Sequence, residues 1–226
     1  MLVVLDSFLD SAEVEQYRQQ LNRARWNDGR HSAGGLNQLS KRNDQVDPAC
    51  NIGQTLANDL LGKMGHHATL VSACLPHRIF PPVFNRYSEN QAYGAHVDAA
   101  IMQMPGSGQV LRSDISMTVF LTSPDEYSGG ELVIEGQFGA QEVKLEAGDA
   151  VVYPSSSLHR VNAVSGGTRI AAITWMQSMV ADNEARSLLF DLDESIQSLT
   201  NAGNAPAELL RLTSVYHNLV RRMSIV

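Results

Sequence analysis

Apolar residues recur at helical spacing in the N-terminal part of the chain. They do so over residues 14–21, just after the possible capping-box pair Asp10 and Glu13, and again over residues 52–60, ahead of Gly65 as a stop signal. An acidic N-cap followed three residues later by Glu, with apolar positions three or four apart, is typical of amphipathic helices. The sequence therefore predicts a short first strand and then a mainly helical region up to Gly65.

From about residue 78 the pattern changes to short apolar or alternating runs, separated by turns rich in Gly, Pro, Asn and Ser. In one of these runs Ile115, Met117 and Val119 alternate with Ser116 and other residues, as in a strand whose two faces differ. This stretch shows no alternation of strands with helices, which disfavours a parallel α/β sheet. It is therefore predicted to form a sandwich or barrel of short strands.

After residue 180 the apolar spacing becomes helical again. Two amphipathic helices are predicted on either side of a turn at residues 200–207, and Leu209, Tyr216 and Leu219 lie on one stripe of the second helix. This tail is expected to pack on the strand region or against another subunit. Leu209 and Leu219 offer an apolar surface for a possible homodimer.

Composition narrows the range of partners. The chain has 226 residues, a hydrophobic content of 43% and a formal net charge of -7. Its length suits one large domain, or one domain with an appendage, and its acidic balance argues against binding nucleic acid or an anionic membrane. Cys50 and Cys74 lie far apart without a CxxC spacing, and no signal peptide or long apolar run is recognisable. We expect a cytoplasmic protein that binds a small-molecule or peptidyl substrate.

Three residues in the strand region could hold a metal ion. His96 and Asp98 lie two residues apart, so on an extended chain their side chains point to the same side. His159 begins a later predicted strand of the same antiparallel region and could lie opposite this pair. Two imidazoles and one carboxylate leave metal positions open, as in non-haem Fe(II) oxygenases, whereas structural zinc sites are closed.

Arg169 is the candidate for binding a further ligand beside the metal. It lies ten residues after His159, across a Gly-rich turn, and is predicted to begin the strand that pairs with the strand of His159. A guanidinium can bind a carboxylate through two parallel hydrogen bonds. A dicarboxylate that chelates the metal at its other end is therefore the natural candidate.

Four segments together resemble a known family: NRYSENQAYGAHVDA, SGGEL, GDAVVYPSSSLHRV and GGTRIAAITW. In order and spacing they look like the PKHD-type hydroxylases of bacteria, relatives of prolyl 4-hydroxylase among the Fe(II)- and 2-oxoglutarate-dependent dioxygenases. The resemblance implies a mainly β fold with flanking helices, whose double-stranded β-helix (jelly roll) core spans about residues 78–178. Residues 1–178 would form the dioxygenase domain, with its N-terminal helices, and residues 179–226 a C-terminal helical extension.

The resemblance also implies roles for single residues. His96, Asp98 and His159 would be the iron ligands. Arg169, where prolyl and lysyl hydroxylases usually have lysine, would bind the distal carboxylate of 2-oxoglutarate. Tyr87 would hydrogen-bond the same co-substrate. The further candidates are Thr118 and Trp175 for the 2-oxoglutarate pocket, and Asn85 and Arg86 for contact with the substrate.

With these parts the resemblance implies an Fe(II) enzyme that uses 2-oxoglutarate and O2, with L-ascorbate as reductant. It would hydroxylate a prolyl residue, an amino acid or a small metabolite and release succinate and CO2. Two alternatives stay open, a cupin-like metal- or ligand-binding module without turnover and a hydrolase that uses a zinc-bound water. Residues 99–113 are either a lid beside the site or a plain connection.

Overall fold

The computed structural model describes residues 1–32, 34, 37–203 and 206–225. The helices within these residues are α1 (Ser11–Leu21), α2 (Asn37–Ser40), α3 (Asn51–His66), α4 (Ala68–Cys74), α5 (Asn183–Asn201) and α6 (Pro206–Met223). The strands are β1 (Val3–Leu5), β2 (Trp26–Asp28), β3 (Lys41–Arg42), β4 (Asp44–Val46), β5 (Pro76–Ile79), β6 (Val83–Tyr87), β7 (Ala92–His96), β8 (Ile101–Gln103), β9 (Val110–Arg112), β10 (Ile115–Phe120), β11 (Tyr127–Gly129), β12 (Leu132–Gly136), β13 (Gly139–Val143), β14 (Ala150–Pro154), β15 (His159–Val161), β16 (Val164–Gly167) and β17 (Arg169–Ser178).

Two antiparallel sheets face each other and form a jelly roll. The larger sheet has the order β1-β14-β10-β17-β6-β4-β2, with β5 added beside β17. The smaller sheet has the order β13-β12-β15-β7-β3. The chain crosses repeatedly between them, so that β6 and β10 lie in the larger sheet while β7 and β15 lie in the smaller one. The predicted mainly β fold with flanking helices is therefore confirmed.

Strand β10 shows how the two faces of the larger sheet are covered. Ile115, Met117 and Val119 belong to the apolar core that α1 and α3 also line, whereas Phe120 belongs to the core between the two sheets. Every residue of β10 is buried. The alternation predicted from the sequence is present, and both faces of the strand are covered, one by helices and the other by the second sheet.

The N-terminal region contains both predicted helices, together with strands that the pattern did not indicate. Asp10 caps α1 and forms the predicted capping box with Glu13, and α3 corresponds to the second predicted helix. Between them, β2, β3 and β4 extend the two sheets. The expectation of a mainly helical N-terminal region is wrong there, because strands of two or three residues are too short to show an alternating pattern.

Residues 99–113 contain a hairpin. Its strands β8 and β9 pair with each other, with Ile101 opposite Arg112. Arg78 on β5 donates a hydrogen bond to the carbonyl of Val110, which ties the hairpin to the edge of the larger sheet. The segment therefore has a defined structure, and its role as a lid stays a prediction.

The strand that begins at Arg169 lies in a different sheet from the one predicted. β17 pairs with β10 and β6 in the larger sheet, whereas His159 lies on β15 in the smaller sheet. The chain changes sheets after β16, where Gly167 has a φ of +72° and an added Cβ would lie 2.2 Å from the carbonyl oxygen of Glu126. The two strands consequently face each other across the interior of the jelly roll and are not paired.

The C-terminal helices α5 and α6 pack against each other and against the end of the strand region. Leu189 on α5 shares one apolar cluster with Tyr216 and Leu219 on α6, so much of the predicted stripe is used within the chain and the homodimer stays a prediction. The predicted turn between the helices includes residues 204 and 205, which lie outside the described residues. No helix described here has the length and apolar character needed to span a membrane.

Arg186 on α5 joins this tail to the segment that follows β17. It is 2% exposed, and its guanidinium donates hydrogen bonds to the carbonyls of Val180 at 2.7 Å and Ala181 at 2.8 Å. A buried carbonyl that loses its donor keeps the cost of desolvation without the compensating bond. Arg186 is therefore expected to stabilise the docked position of the tail.

The substitution Arg186→Met keeps most of the apolar stem and removes both hydrogen bonds. We expect it to lower the free energy of unfolding by about 1–3 kcal/mol, measured by urea denaturation with circular dichroism. Arg221→Met, which removes an exposed guanidinium bonded to Asn218, serves as the control, with an expected change within about 0.5 kcal/mol. Equal effects of the two substitutions would show that Arg186 does not anchor the tail.

Candidate metal centre

The three predicted metal ligands meet in the structure. His96 ends β7 and His159 begins β15, and the two residues are direct partners in the pairing of these strands. Asp98 follows shortly after the end of β7. One ligand atom from each residue lies within 4.8 Å of the other two, and each histidine Nε2 is 3.8 Å from a carboxylate oxygen of Asp98. Donor atoms at these separations can converge on one metal ion.

Hydrogen bonds fix the orientation of both imidazoles. Nδ1 of His96 lies 2.8 Å from the carbonyl oxygen of Gly94, and Nδ1 of His159 lies 3.0 Å from that of Ser157. Because a carbonyl oxygen can only accept, we assign the proton to each Nδ1. Each Nε2 then keeps its lone pair for a metal, which is the usual arrangement around a metal-binding histidine.

Asp98 is held by a side chain from the facing sheet. The hydroxyl of Ser116 on β10 donates a hydrogen bond to Oδ2 of Asp98 over 2.6 Å, and it lies 2.7 Å from the hydroxyl of Ser155. Ser116 is fully buried. The carboxylate thus lies between the two sheets. Asp98 follows a strand of the smaller sheet, and its hydrogen bond comes from a strand of the larger sheet.

Burial keeps the ring of His96 neutral. His96 and His159 are 6% and 5% exposed, and their ring centroids lie 4.2 Å apart. Burial, and then the proximity of His159, hold the pKa of His96 well below its usual value. A metal binds the neutral form of imidazole, so at neutral pH this ring is ready to bind without first releasing a proton.

A cavity of about 880 Å³ contains the three ligands and Arg169. Arg169 is 3% exposed, and its Nε has no hydrogen-bond partner among the described residues. It lies directly opposite Tyr87 in the pairing of β17 with β6. Its guanidinium carbon is 5.5 Å from the ring centroid of Tyr87 and 5.2 Å from that of Phe120. An anion in the cavity would offset the cost of burying this charge.

Two tyrosines next to Arg169 keep their protons at neutral pH. Burial raises the pKa of Tyr87 to about 12, and it also raises the pKa of Tyr127, while Arg169 acts in the opposite direction on both. The hydroxyl of Tyr127 is buried beside Arg169 but does not line the cavity, whereas Tyr87 does. A protonated hydroxyl can donate to an anion, so Tyr87 is a further donor for a carboxylate beside Arg169.

The remaining predicted residues fall into two groups. Thr118, Asn85 and Trp175 line the cavity, and the amide of Asn85 and Nε1 of Trp175 are buried with no partner among the residues described. Arg86 does not line the cavity, since it pairs with Asp44 at 2.8 Å outside it. Successive residues of β6 point to opposite faces, so bringing Asn85 to the cavity directs Arg86 away from it.

Three further side chains of this site were not among the predicted residues. Ser116 holds Asp98, the ring of Tyr93 stacks 3.6 Å from that of His96, and Lys41 lines the cavity. The sequence pattern indicated the position of Ser116, because this residue lies on the inner face of a strand that was predicted with two unlike faces. No sequence pattern indicated Lys41, because β3 is short and far from the motifs in the sequence.

The donor set fits Fe(II) together with an anionic ligand. Two imidazoles and one carboxylate on one side of a metal leave the opposite positions open. The partnerless Nε of the buried Arg169 shares the cavity with them. A ligand that chelates the metal at one end and carries a carboxylate at the other would satisfy both features.

Comparison with known proteins agrees with this chemistry. Residues 82–177 match the model of the 2OG-Fe(II) oxygenase superfamily, and residues 183–224 match that of the PKHD-type hydroxylase C-terminal domain. A PKHD-type hydroxylase from Alteromonas mediterranea is 56% identical over 226 residues, which cover 100% of both chains.

Solved structures with the same fold are more distant in sequence. A prolyl hydroxylase from Trichoplax adhaerens, in complex with a peptide fragment of hypoxia inducible factor, has a TM-score of 0.55 at 13% identity, covering 83% of this chain and 86% of that chain. HygX from Streptomyces hygroscopicus, with nickel, 2-oxoglutarate and hygromycin B bound, has a TM-score of 0.53 at 15% identity, with coverages of 79% and 84%. These likenesses show the fold, and the full-length identity shows the family. The chain therefore belongs to the PKHD-type hydroxylases, which are 2-oxoglutarate-dependent hydroxylases of the 2OG-Fe(II) oxygenase superfamily.

Proposed function

We propose that this enzyme uses Fe(II), O2 and 2-oxoglutarate to hydroxylate a C–H bond of its substrate, with release of succinate and CO2. One observation carries the proposal. The ligand atoms of His96, Asp98 and His159 lie within 4.8 Å of one another in the same cavity as the buried Arg169. Bound iron and 2-oxoglutarate would supply the activation of O2. The chain supplies positions, charges and the exclusion of water.

The ligand residues give the centre its charge. Asp98 contributes one negative charge, while His96 and His159 are proposed to bind as neutral rings. The two positive charges of Fe(II) therefore exceed the single negative charge of the protein ligands. The centre consequently favours an anionic chelator in its open positions. The hydrogen bonds from Ser116 and to the carbonyl of Gly94 hold the donors in place before any ligand arrives.

Arg169 and Tyr87 are proposed to bind the distal carboxylate of 2-oxoglutarate. The guanidinium can donate two parallel hydrogen bonds, and the phenol of Tyr87, protonated at neutral pH, can donate another. Phe120 packs beside the guanidinium and helps to exclude water from it. A dicarboxylate would thus connect the positive metal centre with the buried cation of the larger sheet.

The fold accommodates more than one class of substrate. Apolar side chains such as Leu132, Val161 and Ile173 line the cavity and would keep water from the reacting centre. The distant structures named above hold a peptide in one case and hygromycin B in the other, so this fold accommodates both kinds of ligand. We therefore propose a prolyl residue, an amino acid or a small metabolite as substrate, with L-ascorbate as reductant.

Anaerobic titration of the Fe(II)-loaded protein with 2-oxoglutarate tests the proposal. We expect the weak visible charge-transfer band of an iron–keto acid chelate. His159→Ala should abolish the band, because it removes one of three protein ligands, and metal content is measured in parallel. His66→Ala, which changes an exposed histidine of α3, is the control. If fully iron-loaded wild-type protein shows no band, a binding module or a hydrolase becomes the better explanation.

The contribution of Arg169 can be measured by the same titration. Arg169→Ala should raise the 2-oxoglutarate concentration for half-maximal band intensity by at least about thirtyfold, because a buried charge-assisted pair is lost. Arg169→Lys keeps the charge as a point donor and should have a smaller effect. Without 2-oxoglutarate, Arg169→Ala should be no less stable to heat than the wild type, since it removes an uncompensated buried cation. An unchanged titration would contradict the assigned role.

The hairpin of β8 and β9 can be tested as a lid by hydrogen exchange. Ile101, Met102 and Gln103 line the cavity from this hairpin. If the hairpin closes over bound ligands, its amides should exchange more slowly in protein loaded with Ni(II) and 2-oxoglutarate than in the metal-free protein. Amides of α1, on the outer side of the larger sheet, are the internal control. Equal exchange of the hairpin in both states would favour a plain connection.

A further inference from the structure

Lys41 is a second buried cation of the cavity, separate from Arg169. It belongs to β3, the edge strand of the smaller sheet, and is 6% exposed. It lines the same cavity as the metal ligands. Arg169 projects from the larger sheet instead, so the two cations approach the cavity from different walls. The proposed binding of 2-oxoglutarate uses Arg169 and gives Lys41 no role.

The direct partners of the Lys41 ammonium are neutral. Its Nζ donates a hydrogen bond to the hydroxyl of Ser32 at 2.7 Å and a longer one to the amide oxygen of Gln45 at 3.4 Å. It also lies 5.4 Å from the ring centroid of Tyr93. Among the residues that the structure describes, no carboxylate lies within ion-pair distance of Lys41. An ammonium has three N–H donors, and these two bonds use two of them. The third can donate to a further partner.

The two acidic residues that influence Lys41 are engaged elsewhere. Asp28 and Asp98 both favour its charged form. Asp28 pairs with Arg30 at 2.5 Å, and Asp98 is a proposed metal ligand that accepts a hydrogen bond from Ser116. The charge of Asp28 is therefore matched by a guanidinium, while that of Asp98 would be matched by the proposed metal ion. Neither is placed to neutralise Lys41 directly.

Burial of this charge is unfavourable as the structure stands. Burial lowers the pKa of Lys41 to about 8, although the two carboxylates oppose the shift. Lysine is rarely this buried in proteins unless it is paired. An anion that entered the cavity and contacted Nζ would supply the missing charge and replace the lost hydration. Lys41 thus has the properties of a binding group for an anionic ligand.

Lys41 lies on the same wall of the cavity as a proposed metal ligand. Lys41 and Tyr93 are direct partners in the pairing of β3 with β7, and the ring of Tyr93 stacks 3.6 Å from that of His96. One aromatic ring therefore connects the ammonium with a proposed metal ligand along the same wall. A molecule held at Nζ would lie in the same cavity as the proposed metal ligands, where a substrate must bind to react.

We infer that Lys41 binds a carboxylate of the primary substrate and that this substrate is a small carboxylic acid of the amino-acid class. The inference rests on the proposed function, whose oxidant must meet the substrate beside the metal. One ammonium with two neutral hydrogen-bonding neighbours matches the single charge of a carboxylate. The carboxylate must reach a side chain inside the cavity. An internal segment of a polypeptide offers a carboxylate only where it carries Asp or Glu, whereas every free amino acid carries one on its main chain.

The test measures binding without turnover, in protein loaded with Ni(II) and 2-oxoglutarate. The probes are the common L-amino acids and, for each, the corresponding carboxamide, which has nearly the same shape without the negative charge. Saturation-transfer NMR identifies binders, and calorimetry measures their Kd. We expect at least one free acid to bind, with its carboxamide at least about tenfold weaker.

Variants connect that preference to Lys41. Lys41→Met should weaken binding of the acid by about tenfold or more and leave the Kd of its carboxamide unchanged. Lys41→Arg should restore part of the preference for the acid. Lys63→Met, in a lysine that pairs with Glu13 outside the cavity, is the matched control. Anaerobic binding of 2-oxoglutarate should be the same in all of these variants, since Arg169 is unchanged.

The outcomes separate this inference from the proposed function. Absence of the charge-transfer band from Fe(II)-loaded wild-type protein with 2-oxoglutarate would overturn the proposed function itself. If that band is present, the inference is overturned when no free acid binds, when acids and carboxamides bind equally, or when Lys41→Met leaves the preference intact. Short peptides with free or amidated C-termini, each with and without an internal Asp or Glu, test the other sources of a carboxylate. Binding of carboxylate-bearing peptides alone would overturn the assignment to a small molecule.

Discussion

The pairing of His96 with His159 is the constraint on which the site depends. In an antiparallel pair, a shift of one residue would turn one imidazole to the outer face of the smaller sheet, so the register of β7 and β15 decides whether the ligands meet. A bulge between the pairs lets Tyr93 and His96, three residues apart, share the cavity. The register is fixed by apolar burial, because Val161 on β15 packs into the core between the sheets. The force that stabilises the fold thus also aligns the metal ligands.

The interior of the jelly roll carries polar groups that the protein alone does not satisfy. Arg169 and Lys41 are buried cations without a carboxylate among the described residues within ion-pair distance, and Asn85 and Trp175 bury polar atoms that have no partner there. Each such group costs about 1–3 kcal/mol or more relative to a satisfied one. The fold tolerates this cost because the outer face of the larger sheet, represented by Met117, packs against helices in a continuous apolar core. Binding sites often combine a stable scaffold with such unsatisfied groups.

Strand β17 links the site to the C-terminal tail. Its first residue, Arg169, lies in the cavity, and its last, Ser178, is followed directly by the segment that Arg186 holds. The backbone of Ser178 also donates to Asp114, just before β10. The tail, which matches the PKHD-type C-terminal domain, therefore supports the strand that carries the proposed carboxylate-binding arginine. This connection gives the tail a structural reason to accompany the catalytic core in one chain.

The local features of this protein can be predicted from its amino-acid pattern. Spacing and turn chemistry predicted the capped helix at Asp10, the two-faced strand of β10 and the residue types of the metal ligands, because these patterns depend on neighbours a few positions apart. Three features of the site follow only from the folded chain: β17 lies in the facing sheet, Arg86 points away from the cavity, and Lys41 reaches the cavity from a short edge strand. These outcomes depend on which distant strands pair and on which face is buried. Such non-local pairings leave little trace in the spacing of neighbouring residues, least of all in a strand as short as β3, so only the folded chain shows them.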